Sequence, residues 1–485
     1  MALSARTIAI VGAGFSGTAL AARLLRSPPP GPTRLILFER AGSIGRGVAY
    51  AEQPYPYLLN VPAGRMSAVP EDPDHLLDYA RERLPEVQAE SYLTRACYGD
   101  YLQHHLAQSE ASAPAHIRLE RVRCEVTALQ PVDLKGAVVI RALDRQWLAD
   151  QVVVACGDPP PLPKRYAAAV QDHQAYSFRP FASEPIRPEH RRVLIIGTGP
   201  TMADMSAAAV AANPHVELIA ISRHGLLPQS QSAGSGANVV SSGCSGFEMA
   251  AGSSLRQIVA GVRTYLKAVQ QQGFDWRDAL VALRKSIPAL WADLGDADRH
   301  RFLRHVRTYW DIHRHRLAPE IALKIAQLRA SGQLKVHAGR IVRLMADGST
   351  ISVHWIARGR SEVQQLTVDR VLDCSGSDCR VLRTRDPLLR HLLDAGLASI
   401  DPHGLGLRTG PHGALINRDG DTAQQLFYLG PMLRARHWEA TAVGELREHV
   451  DTLADALRAH SSSRPALGLR LGPRRFGVAE SQPSR

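Results

Sequence analysis

An α/β fold with two parallel-sheet units in series, and a helical insertion in the second, is what the sequence predicts, on three observations. Short buried-strand patterns run into a glycine turn and the start of a helix at two places, Thr7–Leu25 and Arg192–Asp204. Each is answered much later by a second buried strand ending in glycine, Gln151–Gly157 and Asp369–Gly376. Between residues 253 and 331 the pattern becomes helical, with apolar positions three and four apart.

The first unit is the more complete. Ile8–Val11 leads into Gly12-Ala13-Gly14-Phe15-Ser16-Gly17. Gly12 permits the sharp turn, Gly14 lets a pyrophosphate reach the backbone, and Gly17 lets helix and strand pack closely. The helix N-terminus offers N–H groups and partial positive charge to phosphates. Leu35–Phe38 reads as the next strand, and Glu39 at its end is placed for a ribose hydroxyl. The Pro28-Pro29-Pro30-Gly31-Pro32 loop explains why Glu39 arrives late. A long loop follows in which Asn60, Arg65 and Ser67 are polar groups in an apolar setting, expected on the ligand side.

The second unit reads Gly197-Thr198-Gly199-Pro200-Thr201-Met202. Met202 at the third glycine position should hold the helix further from its strand. Pro200 suits the first helical turn. The next strand, Val216–Ile221, ends in Ser222-Arg223-His224 with no carboxylate, and Arg223 there favours a ribose 2′-phosphate, hence NADPH over NADH. Gln229–Ser254 reads as a mobile connection rich in Ser, Gly and Ala. Helices are expected over Leu255–Val269, Trp276–Leu294 and Asp298–Ala330, the last with an apolar face of Phe302, His305, Val306, Tyr309, His313 and Leu317. His305 and His313 on that face read as core histidines. The insert reads equally as a lid or as a docking helix.

The resulting division is residues 1–165 as a first part of one dinucleotide-binding domain, 185–365 as a second dinucleotide-binding domain holding the 253–331 insert, 366–460 completing the first domain, and a disordered tail from 461 to 485. Leu426–Pro431 and Trp438–Val443, before the final helix, place Gly430 and Thr441 beside the crevice; Gly157 and Gly376 join the cofactor-contacting positions.

The formal net charge of +12 is largely arginine but scattered, without the stripe and aromatic interleaving that nucleic-acid binding needs. No apolar run reaches the roughly 18 residues of a membrane span, so a cytoplasmic protein is expected. Cys97, Cys124, Cys156, Cys244, Cys374 and Cys379 show no metal-type spacing, and no metal site is expected. Cys374 and Cys379 have the CxxxxC spacing of a redox pair, although in the wrong part of the chain for one.

The segments GAGFSG, LLNVPAGRMSA, YGDYL, VVVACG, GTGPTMAD, SRHGLLP, YWDIHRHRLAPE, DCSG and LGPMLR with HWEATAV resemble the bacterial FAD-NAD(P)-binding protein family of the YdhS type. The resemblance covers nearly the whole chain apart from the tail. It implies a two-dinucleotide-binding-domain flavoprotein of tandem Rossmann-like domains. FAD is then expected on Gly12, Gly14, Gly17 and Glu39 with Asn60, Gly430 and Thr441 nearby, and NADH or NADPH on Gly197, Gly199 and Thr201. Within that family the arginine usage and length look most like an FAD-dependent urate hydroxylase. The implied reaction consumes NAD(P)H and O2 and converts the urate anion to 5-hydroxyisourate, with Arg65 and Arg314 chosen to face the anion. Two rivals stand beside it. One is an N-hydroxylase acting on an amino acid such as aspartate, with Glu439 or Asp311 facing the ammonium; the other is a flavin-binding redox sensor using Cys374 and Cys379.

Overall fold

A computed structural model describes residues 5–132, 137–143, 145–159, 161–182, 186–232, 247–376 and 381–459. The first unit comprises β1 (Arg6–Val11), α1 (Phe15–Arg26), β2 (Thr33–Phe38), α2 (His75–Arg81), α3 (Arg95–Ala111), β3 (Ile117–Val122), β4 (Ala128–Pro131), β5 (Val138–Ala142), β6 (Arg145–Ala149) and β7 (Gln151–Val154). The second opens with β8 (Tyr176–Ser177), β9 (Arg192–Ile196), α4 (Pro200–Ala212) and β10 (Glu217–Ser222). An insert of α5 (Leu255–Gln271), α6 (Trp276–Arg284), α7 (Ile287–Asp293), α8 (Asp296–Arg301) and α9 (Arg307–Arg314) follows. The chain continues through α10 (Pro319–Ala330), β11 (Leu334–Asp347), β12 (Thr350–Ala357), β13 (Val363–Val368) and β14 (Arg370–Asp373). It closes with α11 (Pro387–Asp394), β15 (Ala414–Ile416), β16 (Thr422–Tyr428) and α12 (Val443–Ala459).

These strands make two main sheets, ordered β15-β16-β7-β1-β2-β3 and β13-β12-β11-β10-β9-β14-β8. In the first, Val11 is level with Phe38 on one side and Val154 on the other, all in parallel. In the second, Ile196 is level with Ile221 and Asp373 in the same sense. Ile8, Ala9, Ile10, Val152, Val153 and Val154 are fully buried, as strands covered on both faces must be. The carboxyl ends of the central strands thus finish together, and the order reverses at β1/β7 and again at β9/β14, which is where such sheets open a ligand crevice.

The glycine turns repeat almost atom for atom. Gly12 and Gly197 both have φ +105°. A Cβ on Gly12 would lie 2.5 Å from the Ala155 carbonyl oxygen, and one on Gly197 2.5 Å from that of Cys374. The units part company at the third position, where a Cβ on Gly17 would stand 1.9 Å from the Gly12 oxygen. Met202 fills the matching position and is completely buried, so a full side chain is packed where the first unit holds helix and strand in contact.

Several boundaries differ from those expected. Ile117–Val122 is the edge strand beside β2, paired from Thr33/Ile117 to Phe38/Val122, while β4, β5 and β6 form a separate three-stranded sheet. β14 pairs with β9 and β8 with β14, so the second sheet begins before residue 185 and the return to the first comes after Asp373, not at 366. β7 and β14 have the same local pattern; only their pairing tells the sheets apart. The expected helix over Asp298–Ala330 breaks at His315–Ala318, where Leu317 exchanges backbone bonds with Gln229 and Gln231 and Pro319 starts α10. α10 packs Ile321, Ile325 and Leu328 into the core of the second unit, not into the insert. A π-helical turn over Phe302–Val306 adds a residue to the helix. The apolar face therefore passes from Phe302 and Val306 to Trp310, leaving Tyr309 49% exposed and His305 on the surface, no core histidine. Most of the Gln229–Ser254 connection, Cys244, Cys379 and the tail from 461 fall outside the described residues.

The two units meet through Arg95 at the start of α3 and Asp204 in α4, 3.0 Å apart, beside Tyr57, whose hydroxyl faces the Met205 sulfur. Burial outweighs the arginine and lifts the Asp204 carboxyl to about 6. Because its folded pKa lies above the unfolded one, the Asp204 contribution is full below about pH 4 and is lost as pH rises through 6. The melting temperature of the wild type should therefore fall relative to that of Asp204→Asn between pH 4 and 7; parallel curves would contradict this. Gly17→Ala should cost about 3 kcal/mol or more through backbone overlap, whereas Gly199→Ala, with nothing within 4 Å of its Cβ, should leave the melting temperature within about 2 °C. Equal losses in the two variants would overturn the packing argument.

Candidate functional site

The open side of each glycine turn faces the crevice. Gly14 is the N-cap of α1 and Gly199 that of α4, and neither helix start is capped by a side chain or carries an acidic residue in its first turn. A Cβ on Gly14 would meet only the Gly47 Cα, 3.8 Å away. Phe15 and Ser16 are buried in the first turn of α1, with Phe15 stacked 6.4 Å from Tyr98; Thr201 is half-buried in α4. Two uncapped helix starts with bare glycines before them are cradles that phosphate oxygens fit.

Glu39 ties itself to the first turn, accepting from the Ala13 N–H at 2.9 Å and the Ala41 N–H at 2.8 Å. The carboxylate is fixed at the rim of the cradle with lone pairs to spare for hydroxyl donors. Gly157 and Gly376, with φ +74° and +93°, have nothing within 4 Å of a Cβ. The Gly157 carbonyl accepts from the Tyr428 hydroxyl, which also receives the Met432 N–H and would be struck by a Cβ on Gly430. At the end of β10 Arg223 is exposed. It lies within electrostatic reach of His224, as does Arg358, and burial followed by these arginines holds the imidazolium below its ordinary range. The sequence pattern did not mark Arg358, because it arrives from β12, 135 residues away in the chain.

The Asn60 loop is laced to the segment 88–95 by Leu59 to Leu93, Ala63 to Ser91 and Gly64 to Ala89. The Asn60 carbonyl accepts from Gln231 Nε2 at 3.0 Å. Ser67 turns inward to the Val69 and Asp72 carbonyls, which makes it part of the loop's own scaffold. Arg65 is half-buried, its pKa lowered by burial and by Arg284. The insert clasps the segment before α12: Trp310 Nε1 donates to Glu439 at 3.0 Å, Arg314 pairs with the same carboxylate, and Arg284 pairs with Glu445. Glu439 is 4% exposed, so its charge is neutralised by Arg314 and neither side chain stands alone toward the crevice. Asp311 pairs with Arg307 at 3.3 Å, and burial raises its pKa. Thr441 is exposed just beyond Glu439. Burial pushes the Cys374 thiol well above its usual range, which keeps it protonated and unreactive. Among the described residues no three His, Cys, Asp or Glu gather as a metal site, and no helix is long and apolar enough to cross a membrane.

Solved structures share this architecture. The ornithine N-hydroxylase of Kutzneria sp. 744, described with reduced FAD, NADP+ and L-ornithine, is 17% identical with a TM-score of 0.61 over 93% of this chain and 99% of its own. The L-lysine 6-monooxygenase of Pseudomonas syringae is 16% identical, TM-score 0.60, over 93% and 99%. The FAD-bound cadaverine monooxygenase of Erwinia amylovora is 12% identical, TM-score 0.59, over 98% and 100%. At these identities the likeness establishes the fold, two Rossmann-like dinucleotide-binding units. The sequence finds no significant match among the curated proteins. The model of the FAD-NAD(P)-binding family matches from residue 9 to residue 159, the stretch that holds the first glycine turn, Glu39 and β7.

Proposed function

We propose that this chain is an FAD- and NADPH-dependent monooxygenase that hydroxylates the nitrogen of a small amine. The observation that carries the reading is the pair of superimposable glycine cradles at the carboxyl ends of two sheets, in a fold whose similar structures act on ornithine, lysine and cadaverine. In the first cradle Gly12, Gly14, Phe15, Ser16 and Gly17 would hold the FAD pyrophosphate against the α1 N-terminus, with Glu39 accepting from a ribose. Asn60, Gly157, Gly430 and Thr441 would line its far end. In the second, Gly197, Gly199, Thr201 and Gly376 would hold the nicotinamide nucleotide, with Arg223 and Arg358 on a 2′-phosphate. Bound together, the two cofactors supply a hydride, its acceptor and dioxygen activation. The protein's share is to hold them in register and keep the crevice dry, which the Trp310 and Arg314 clasp on Glu439 does by pinning the insert over the segment before α12.

Urate, the substrate suggested by the sequence resemblance, has no counterpart in those neighbours, and Arg314, chosen to face its anion, is neutralised by Glu439. Holoenzyme offered NADPH, O2 and in turn L-aspartate, L-ornithine, L-lysine, cadaverine or urate should consume NADPH fastest with an amine and yield a hydroxylamine. Loss of the urate ultraviolet band without hydrogen peroxide would instead restore the urate reading, and no acceleration by any of the five would sink both. Arg223→Ala should raise KM for NADPH about tenfold with KM for NADH nearly unchanged, the worth of one phosphate contact; equal effects on both coenzymes would remove Arg223 from the site.

A further inference from the structure

Arg316 belongs to none of the ion pairs described above. It lies two residues beyond the end of α9 and is 8% exposed, yet neither Nε nor Nη1 has a hydrogen-bond partner among the described residues. Leaving guanidinium N–H groups buried and unpaired is costly, and the surroundings add to the cost. Burial and then Arg314, Arg277, Arg65 and Arg284 press the Arg316 pKa down to about 10. The carboxylates nearby are already taken. Asp275 holds Arg277 through both oxygens at 3.1 and 2.9 Å, Glu439 holds Arg314, and Glu445 holds Arg284. Asp278 is the exception, an acid outside those pairs and within electrostatic reach of Arg65 and Arg316, its pKa raised chiefly by burial. The ring of Trp276, 5.8 Å from the guanidinium carbon, forms an apolar wall.

The location matters as much as the charge. Leu317, the next residue, is stitched by backbone bonds to Gln229 and Gln231, and Gln231 bonds Asn60. Arg316 thus sits between the Asn60 loop and the insert. Tyr92 lies within reach of Arg316, Arg65 and Glu320, and with Pro62, Leu93 and Glu320 it lines a cavity of about 610 Å3.

The geometry points to Arg316 as the anchor of a carboxylate-binding subsite, so that the substrate is an amino acid or another carboxylate-bearing amine and not a bare diamine. A planar guanidinium takes a carboxylate through two parallel bonds along its Nε/Nη2 or its Nη1/Nη2 edge, and each of those edges of Arg316 carries one of the orphaned nitrogens, Nε or Nη1. Naming the occupant as part of the substrate rests on the monooxygenase reading; the anion site itself does not.

The test separates the two. Holoenzyme is titrated with succinate, L-aspartate, cadaverine and urate, following the melting temperature and the heat of binding, in the wild type and in Arg316→Met and Arg316→Lys. Succinate and L-aspartate should bind the wild type and cadaverine should not. Arg316→Met should weaken both carboxylates by roughly tenfold to a hundredfold, and Arg316→Lys should restore part of the loss. Without ligand, Arg316→Met should melt no lower than the wild type, because it removes a buried charge that has no partner. A lowered ligand-free melting temperature would make Arg316 a structural pair and overturn the proposal. So would undiminished succinate binding in Arg316→Met, no binding to the wild type, or binding of urate alone. Arg316-dependent succinate binding in a protein that hydroxylates no amine would uphold the anion site and refute the functional reading.

Discussion

The structure depends on backbone touching backbone at the glycine turns. Gly12 presses on the Ala155 carbonyl and Gly197 on that of Cys374, closer than any side chain could allow. Those contacts join neighbouring parallel strands, β1 to β7 in one sheet and β9 to β14 in the other, at the points where the strand order reverses. They also turn the helix starts toward the crevice. The packing that holds the sheet together and the surface that receives phosphate are therefore one piece of geometry, seen from its two sides.

The two units are alike in topology and unequal in detail. Gly17 draws α1 against β1, while Met202 packs a full side chain in the corresponding place. At the rim the first unit has a carboxylate, Glu39, bonded to the turn, and the second has Arg223 and His224 after β10, with Arg358 from the end of β12 within electrostatic reach. An acidic rim suits ribose hydroxyls and a basic rim suits a further phosphate, which is the chemical difference between an FAD site and an NADPH site. The arginine excess follows the same logic within the insert. Arg284, Arg314 and Arg277 are balanced by Glu445, Glu439 and Asp275, leaving Arg316, with Asp278 in electrostatic reach, outside those pairs.

The two strand–glycine turn–helix arrangements, and Glu39 at the end of the second strand, were legible because each is a local pattern in which the residue type alone carries the physics. What stayed hidden is what pairing decides. Gln151–Val154 and Arg370–Asp373 look alike along the chain, and hydrogen bonding to β1 in one case and β9 in the other assigns them to different sheets. The insert misled for a related reason, since the period of an α-helix cannot foretell a π turn, and one extra residue moves the buried face from Tyr309 to Trp310. Arg314 and Glu439 both looked like ligand groups when read separately. Only the fold reveals that they are each other's partner, and that the arginine two positions on has two nitrogens without a hydrogen-bond partner among the described residues.

The central claim is that one chain carries two distinct dinucleotide cradles. Equilibrium binding stoichiometry tests it most directly: denaturing release of bound flavin, with dialysis of the holoenzyme against NADP+. The account predicts one FAD and one NADP+ per chain, bound together without displacing each other. A chain that holds neither, or one at which NADP+ and FAD compete for a single site, would contradict it.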